Sequence, residues 1–361
     1  MESLHSTTTN TNTNTNETEV EPMSRTEIRN SIAKALPDIV IGDAMKDCDD
    51  SEYLSTPIGT VLREYTINDD DQTFCLSLAN GSDPVTCDYH SKVQKLALWF
   101  VENADDVDVS SDQSGYWKIL YLFVQSPSKG YALVGYCTLF HFNSPFHKPV
   151  PGTIVRICQA LVLPPYQGQG HGKRMIECIY DAVHNRIIQG GAYTKSDDDQ
   201  EVVQINVEDP APGFVALRNK VDWKLFQDHP EYWSFHNAKK VDICDENFFA
   251  SIPEAIAVQV GARAKITPHQ VHIVHELQTL EALNSSDDDN DDNDDDGTIR
   301  VSKEELERRY RLLVKRRLNR DHSEDLSSFA TKDAKKTYLA KLFDEQLALY
   351  NKLLKKGSST R

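Results

Sequence analysis

The chain predicts an α+β fold, a mixed sheet followed by a small helical domain, and three observations carry that prediction. Between residues 60 and 207, apolar and β-branched runs recur at strand length with turn residues between them. One run leads through a cluster of glycines into an amphipathic helix and then into another strand; a helix joining two neighbouring strands makes them parallel, whereas the earlier hairpins are antiparallel. After Pro210 the strand pattern stops and helical periodicity takes over.

Residues 1–53 are low in aromatics and rich in Thr, Asn, Asp and Glu, and are expected to be disordered. A short helix over 24–36 fits within them, capped by Ser24 with Glu27 and ended by Pro37. Residues 54–115 read as a shortened α/β region packed on the core, with strands over 61–67 and 73–78 about a turn at 68–71. A helix over 89–104 follows, with Val93, Leu96, Ala97, Phe100 and Val101 on one face and Trp99 beside it. Residues 116–222 form the expected core: strands over 115–125, 131–142 and 153–163, a helix over 170–188, a polar insertion at 190–200 and a strand over 201–207. Met175, Ile176, Ile179, Tyr180, Val183 and Ile187 give that helix its apolar face.

Residues 223–320 read as a helical domain with an acidic insertion at 285–297. Its separate amphipathic stretches begin just before it, at 214–219, and continue over 223–226, 247–264, 267–283 and 303–318. Residues 321–361 form a helical tail, heptad-like over 333–354, where Leu339, Leu342, Leu347 and Leu354 are available for packing or for a partner.

Composition narrows the function classes. A net charge of −17 over 361 residues argues against direct nucleic-acid binding and suits a basic partner, although the run 287–296 alone contributes eight of the acidic residues. No apolar run approaches the ~20 residues of a membrane span, and 1–16 lacks a hydrophobic signal region, so a soluble, intracellular chain is expected. The seven cysteines show neither a Cys-x-x-Cys pair nor a His at ligand spacing, which predicts reduced thiols and no metal. The basic Lys315-Arg316-Arg317 and the tail from Lys352 to Arg361 suggest nuclear import alongside a cytoplasmic pool.

The glycine turn is the strongest chemical signal. Gln167-Gly168-Gln169-Gly170-His171-Gly172 places close-approach glycines before first-turn amides that have no helical partner, an arrangement suited to a phosphate. A Walker loop fails, because Gly172-Lys173 is followed by Arg174 and Gln167 stands where the first glycine belongs. A dinucleotide fingerprint fails too, since the third glycine comes one residue early. A plain strand-to-helix turn without ligand is the alternative.

The pattern Gln/Arg-x-x-Gly-x-Gly/Ala resembles the pyrophosphate loop of GCN5-related N-acetyltransferases. With Ile157-Cys158-Gln159-Ala160-Leu161-Val162-Leu163 before it, Pro164-Pro165-Tyr166 leading into it and Val207-Glu208-Asp209-Pro210 beyond, the chain resembles the catalytic subunit of type B histone acetyltransferases. The resemblance covers residues 54–320, from Leu98-Trp99-Phe100-Val101-Glu102 and Tyr116-Trp117 to Leu313-Val314-Lys315-Arg316-Arg317-Leu318. Family members carry a longer folded region before the equivalent of Ile58-Gly59-Thr60-Val61-Leu62, and this half-domain is expected to be missing or unrecognisable here.

The resemblance implies a sheet whose central strands splay apart, with the arm of acetyl-CoA lying between them as a missing strand. The main chain of Ala160, Leu161 and Val162 would pair with pantetheine and acetyl group, Gln167, Gly168, Gln169, Gly170, His171, Gly172 and Lys173 would wrap the pyrophosphate, and Lys220 or Arg218 would reach the adenosine phosphate. A lysine acceptor is neutral in only about one molecule in two thousand at pH 7, so activation costs about 4–5 kcal/mol and calls for a base. Glu208 matches the family's general base, with Asp209 and Glu102 as supporting carboxylates. Trp117 and Phe140 match positions walling the lysine channel.

The resemblance implies transfer to lysines in the amino-terminal tail of free, newly made histone four, with a WD-repeat propeller chaperone as partner. Another protein lysine, a polyamine, or a non-catalytic acidic histone-binding scaffold are the alternatives.

Overall fold

A computed structural model describes residues 54–67, 72–101, 104–109, 116–126, 130–189, 201–233, 246–285 and 301–357. The helix expected over 24–36, and the whole of the segment 1–53, lie outside the described residues. Residues 53–361 fall in one compact unit.

Six strands form a single sheet in sequence order: β1 (Thr60–Thr66), β2 (Thr73–Asn80), β3 (Trp117–Ser126), β4 (Gly130–Ser144), β5 (Gly152–Val162) and β6 (Val202–Val207). All neighbours are antiparallel except β5 and β6, which run parallel around a helix, as the strand–helix–strand order predicts. β1 and β2, read from the 54–115 segment, are therefore strands of the same sheet as β3 to β6.

The strand period of two separates two apolar layers. In β3, Leu120 and Leu122 face one core while Ile119, Tyr121 and Phe123 face the other. Over the second face lie α1 (Pro84–Val93) and the single turn α2 (Ala97–Phe100), joined by a 3₁₀ turn. The helix expected over 89–104 thus starts earlier and breaks sooner. Asp83 accepts the Val85 N–H as an N-cap, Pro84 occupies the first turn, and α2 ends at Val101, whose φ of −118° and ψ of 117° are extended. Leu98, Trp99 and Phe100 of α2 are about half exposed rather than core.

The other face carries α3 (His171–His184), whose Met175, Ile176, Ile179 and Val183 are buried against the sheet. Each such side chain contributes about 1.5–3 kcal/mol when withdrawn from water. Behind it stand α4 (Pro212–Asp228), α5 (Glu254–Ala264) and α6 (Pro268–Ser285). The stretches expected at 214–219 and 223–226 are one continuous helix, α4. Its buried Arg218, Asn219 and Asp222 interrupt the apolar pattern: Arg218 lies beside Asp222 and donates to the Ile205 carbonyl, and Asn219 accepts from Gln270. The stretch expected over 247–264 is a 3₁₀ turn, Glu246–Phe249, then α5, which begins only after Pro253.

A third apolar cluster joins α6 to α7 (Lys303–Asp321) and α9 (Lys332–Gly357), with the short α8 (Ser323–Ser328) between the last two. In α9, Phe343, Tyr350 and Leu353 are buried, with Leu339, Leu342, Leu347 and Leu354 packed around them, so the heptad-like face serves the chain's own core. Arg317, read as part of a basic surface run, is buried. Its Nε and Nη2 donate to Glu276 at 2.8 and 2.9 Å, and the Tyr350 hydroxyl donates to the same carboxylate at 2.8 Å.

Removing one partner of that pair leaves an uncompensated charge. Glu276→Ala should destabilise the chain by about 3–5 kcal/mol in denaturant unfolding; a loss under about 1 kcal/mol would show that Arg317 finds another acceptor.

Candidate active site

The site begins where β5 and β6 part. Their pairing runs from Thr153 opposite Val202 to Ile157 opposite Val207, and the Glu208 N–H donating to the Ile157 carbonyl at 3.0 Å is the last rung. β5 continues through Cys158 to Val162, held only on its other edge by β4. A bulge marks the parting: Thr138 opposes Gln159 and Leu139 opposes Ile157, so Cys158 has no opposite residue.

The extra residue changes the phase of the strand. The Gln159 N–H donates to Thr138 Oγ1 at 3.0 Å and the Leu163 N–H to the Val134 carbonyl at 2.9 Å, so 159, 161 and 163 turn to β4. Ala160 and Val162 therefore direct their main-chain groups to the open edge. The main chain of Leu161, grouped with them by the resemblance, is turned to β4, and its side chain is buried.

At the far end of that edge lies the glycine loop. Gly168 (φ 78°) and Gly170 (φ 84°) are left-handed, a conformation that costs other residues about 1–2 kcal/mol. A Cβ on Gly168 would meet no atom within 4 Å, so the loop presents bare backbone outward. Gly170 is the N-cap of α3 and offers no side chain, leaving the first-turn amides to an external acceptor. Gln167 Nε2 donates to the Val162 carbonyl at 2.8 Å and Gln169 Nε2 to that of Pro165 at 3.1 Å, which pins the loop to the strand. A Cβ on Gly172 would come within 3.0 Å of Leu217 on α4.

His171 contributes its backbone amide. Its ring is buried beneath the helix start, 4.4 Å from Phe74 by ring centroids, with Nδ1 2.7 Å from the Tyr65 hydroxyl. Burial, helped by the Arg174 charge, holds it down to about 4, so the ring is neutral at pH 7. Lys173 is paired with Glu177 at 3.4 Å, and Arg174 lies over the Tyr65 ring at 4.8 Å. Lys220 is half-buried on α4, three residues beyond Leu217 and hence on a neighbouring part of the helix surface. Arg218, the other residue considered for that role, is buried, donating to the Ile205 carbonyl at 3.0 Å and lying 3.5 Å from Asp222.

At the near end a cleft of about 730 Å³ opens between the parted strands. Glu208, Asp209, Trp117 and Ala160 all line it, along with Phe100, Val101 and the loop 104–107. Glu208 is half-exposed, with Oε1 3.6 Å from Arg156 Nη1, and Arg156 lies over the Phe142 ring at 4.8 Å. Asp209 follows in a left-handed conformation (φ 33°) that directs the chain away before Pro210. The Trp117 and Phe140 rings lie 4.8 Å apart on adjacent strands, Trp117 facing the cleft. Glu102 lies outside the described residues. Among the described residues no His, Cys, Asp and Glu group suited to a metal occurs.

Sequence reasoning passed over three cleft residues. Cys158 is set apart by the register of the bulge, which composition does not encode; burial and the adjacent Glu208 push its thiol up to about 12. Asp105 and Asp106 fall just beyond the helix expected over 89–104 and lie in the cleft wall, past the end of α2 at Phe100. Their doublet, five residues beyond the half-exposed Phe100, was the available signal.

Comparison with known proteins agrees with the motifs. The family model described as "Histone acetyl transferase HAT1 N-terminus" matches residues 2–102, so the N-terminal region expected to be missing or unrecognisable is in fact recognised. A histone acetyltransferase type B catalytic subunit from Dictyostelium discoideum is 31% identical over 211 residues, 56% of this chain and 40% of that protein. The type B catalytic subunit from Rattus norvegicus is 30% identical over 178 residues, 48% of this chain and 38% of that protein. The alignments thus span about two fifths of the length of these relatives, and the chain is similar to type B catalytic subunits over that part. A solved aminoglycoside acetyltransferase from an uncultured soil sample overlaps 40% of this chain and 83% of its own, with a TM-score of 0.26 and 12% identity.

His171 makes the stability of this region pH-dependent. Its folded value of about 4 lies below the ordinary 6.5, so the unfolded chain binds more protons between those values and stability falls as pH drops from 6.5 towards 4. His171→Gln should lessen that loss, read as a smaller shift of the denaturant midpoint between pH 7.5 and pH 5. His90, held at about 4 by burial, retains part of the slope; equal slopes in both proteins would mean that the ring is protonated in the fold.

Proposed function

We propose that the chain is a histone lysine N-acetyltransferase that moves acetyl from acetyl-CoA directly to lysines in the amino-terminal tail of free histone four. One observation carries the reading: the open edge of β5 runs from a cleft holding Glu208 to an N-terminal helix turn built of bare glycine backbone. An extended, phosphate-bearing co-substrate fits both ends at once. Ala160 and the Val162 N–H offer strand-like hydrogen bonds along its arm, the Val162 carbonyl being taken by Gln167, and the amides of 168–173 meet its pyrophosphate. Acetyl-CoA supplies the activated acyl group when bound.

The remaining steps belong to this chain. Trp117 gives the aliphatic stem of a lysine an apolar wall while its nitrogen stays at the polar end of the cleft. Glu208 takes a proton from the incoming ammonium, meeting the cost of about 4–5 kcal/mol that a free lysine bears at pH 7. Arg156 lies 3.6 Å from one oxygen of Glu208 and favours its ionised form. Asp209, adjacent and exposed, holds the ammonium before transfer and receives the proton onward to solvent. The names of the relatives support histone as the acceptor, and the acidic character of the chain agrees with a basic tail.

Glu208→Gln is isosteric and lacks a base. With labelled acetyl-CoA and free histones, nucleosomes or spermidine as acceptors, the intact chain should favour free histones. The variant should lose about 10²-fold or more of kcat with coenzyme A affinity retained. Histone binding without transfer by the intact chain would instead establish a non-catalytic scaffold.

A further inference from the structure

The first turn of α3 carries positive charge that the fold does not neutralise. It holds Lys173 and Arg174 and no acidic residue, at the helix end where the aligned peptide dipoles are already positive. Lys173 is paired with Glu177, whereas Arg174 makes no ion pair among the described residues. Its contacts there are the Gln169 carbonyl, to which Nη1 donates at 3.4 Å, and the Tyr65 ring, 4.8 Å from the guanidinium carbon. A half-buried cation beside a positive helix end is disfavoured, and an anion between the two relieves both at once.

The guanidinium is nevertheless held in one place. Tyr65, on the edge strand β1, stacks on Phe74 with ring centroids 5.6 Å apart and planes 19° apart, and its hydroxyl lies 2.7 Å from His171 Nδ1. Phe74 is buried and packs on His171 in turn, so Tyr65 is a fixed platform tied to the start of α3. Helix side chains lean towards the N-terminus, and from the fourth position after Gly170 the Arg174 side chain comes back alongside the loop. A Cβ on Gly170 would lie 2.8 Å from Arg174 Nη1. Stacking on Tyr65 occupies a face of the guanidinium and leaves its N–H edge for an acceptor.

We propose that Arg174, seated on Tyr65, is a specificity-determining residue for the co-substrate: its guanidinium binds the diphosphate of coenzyme A from the side while the first-turn amides hold it end-on. Tyr65 is the positioning residue of that contact. The diphosphate is the group concerned because the guanidinium lies beside Gly170, the N-cap residue, where the amides meet their acceptor. The assignment deepens the transferase reading and rests on it for the identity of the ligand.

The test is calorimetric titration of the full chain with coenzyme A and with dephospho-coenzyme A, which keeps the diphosphate and lacks the ribose phosphate. Arg174→Gln should weaken both ligands by the same factor, about threefold to thirtyfold, and should flatten the salt dependence of Kd. Arg174→Lys, which keeps the charge and loses the planar fork, should recover part of the loss. Tyr65→Leu should reproduce most of it, and adding Tyr65→Leu to Arg174→Gln should cost little more. Under turnover the same factor should appear in the KM for acetyl-CoA and leave kcat alone.

Unchanged affinity in Arg174→Gln would overturn the assignment. A loss confined to coenzyme A, with dephospho-coenzyme A unaffected, would overturn it as well by moving the guanidinium to the ribose phosphate. Binding that depends on Arg174 as stated, without acetyl transfer to any acceptor, would sink the transferase reading and leave the diphosphate contact standing. No binding of coenzyme A by the intact chain would sink both.

Discussion

The structure turns on one hydrogen bond and what does not follow it. The Glu208 N–H to the Ile157 carbonyl closes the parallel ladder, and beyond it β5 and β6 have no further shared rung. A sheet that stopped both strands there would leave no open edge, and one that continued both would leave no cleft. Here the Cys158 bulge lets β5 carry on with its phase changed, while Asp209 in a left-handed turn and Pro210 take the other chain out of the sheet. An edge that no strand covers at Ala160 and Val162 is the product, with the Val162 carbonyl taken up by Gln167. Such an edge normally invites strand pairing, and here it lies between Glu208 and the glycine loop.

Charge is distributed to match. Acidic groups gather in the cleft, which Glu208, Asp209, Asp105 and Asp106 all line. At the loop end the amides of α3 supply positive potential, so the site does not need a cluster of free cationic side chains there. Lys173 and Arg174 are in fact engaged with Glu177 and with the Tyr65 ring. The acidic end suits a cation and the amide end an anion.

Much of this was legible before any coordinates, for physical reasons that differ by element. The run from Ile154 to Ile188 was readable because a strand buried on both faces must be apolar, left-handed turns select glycine, and a helix packed on a sheet repeats every three to four residues. The place of Glu208 at a strand end was readable because Pro210 marks where the strand must stop, whereas its role came only from the resemblance. The 89–104 helix was misplaced because the Asp83-Pro84 cap outweighs the apolar spacing that follows it. α4 was split in two because Arg218, Asn219 and Asp222 look like surface positions, whereas burial among partners makes them core. The bulge at Cys158 is a fact of register, and composition carries no record of register.

That buried group on α4 also explains why the glycine loop can be exact without side chains of its own. Asp222 accepts from the Tyr180 hydroxyl on α3 and from Gln270 on α6, both at 2.6 Å, and lies beside Arg218, which in turn donates to β6. One carboxylate therefore fixes α4 against two helices and, through Arg218, against a strand. Leu217, the residue before Arg218, rests where a Cβ on Gly172 would intrude, so the position of α4 limits how the first turn of α3 can move. Apolar packing alone tolerates small slides of one helix over another; directional bonds to a buried charge do not. The network thus supplies, from the far side of α3, the rigidity that a loop of glycines lacks, and loosening it is a route by which a change at Asp222 would reach the glycine turn without touching it.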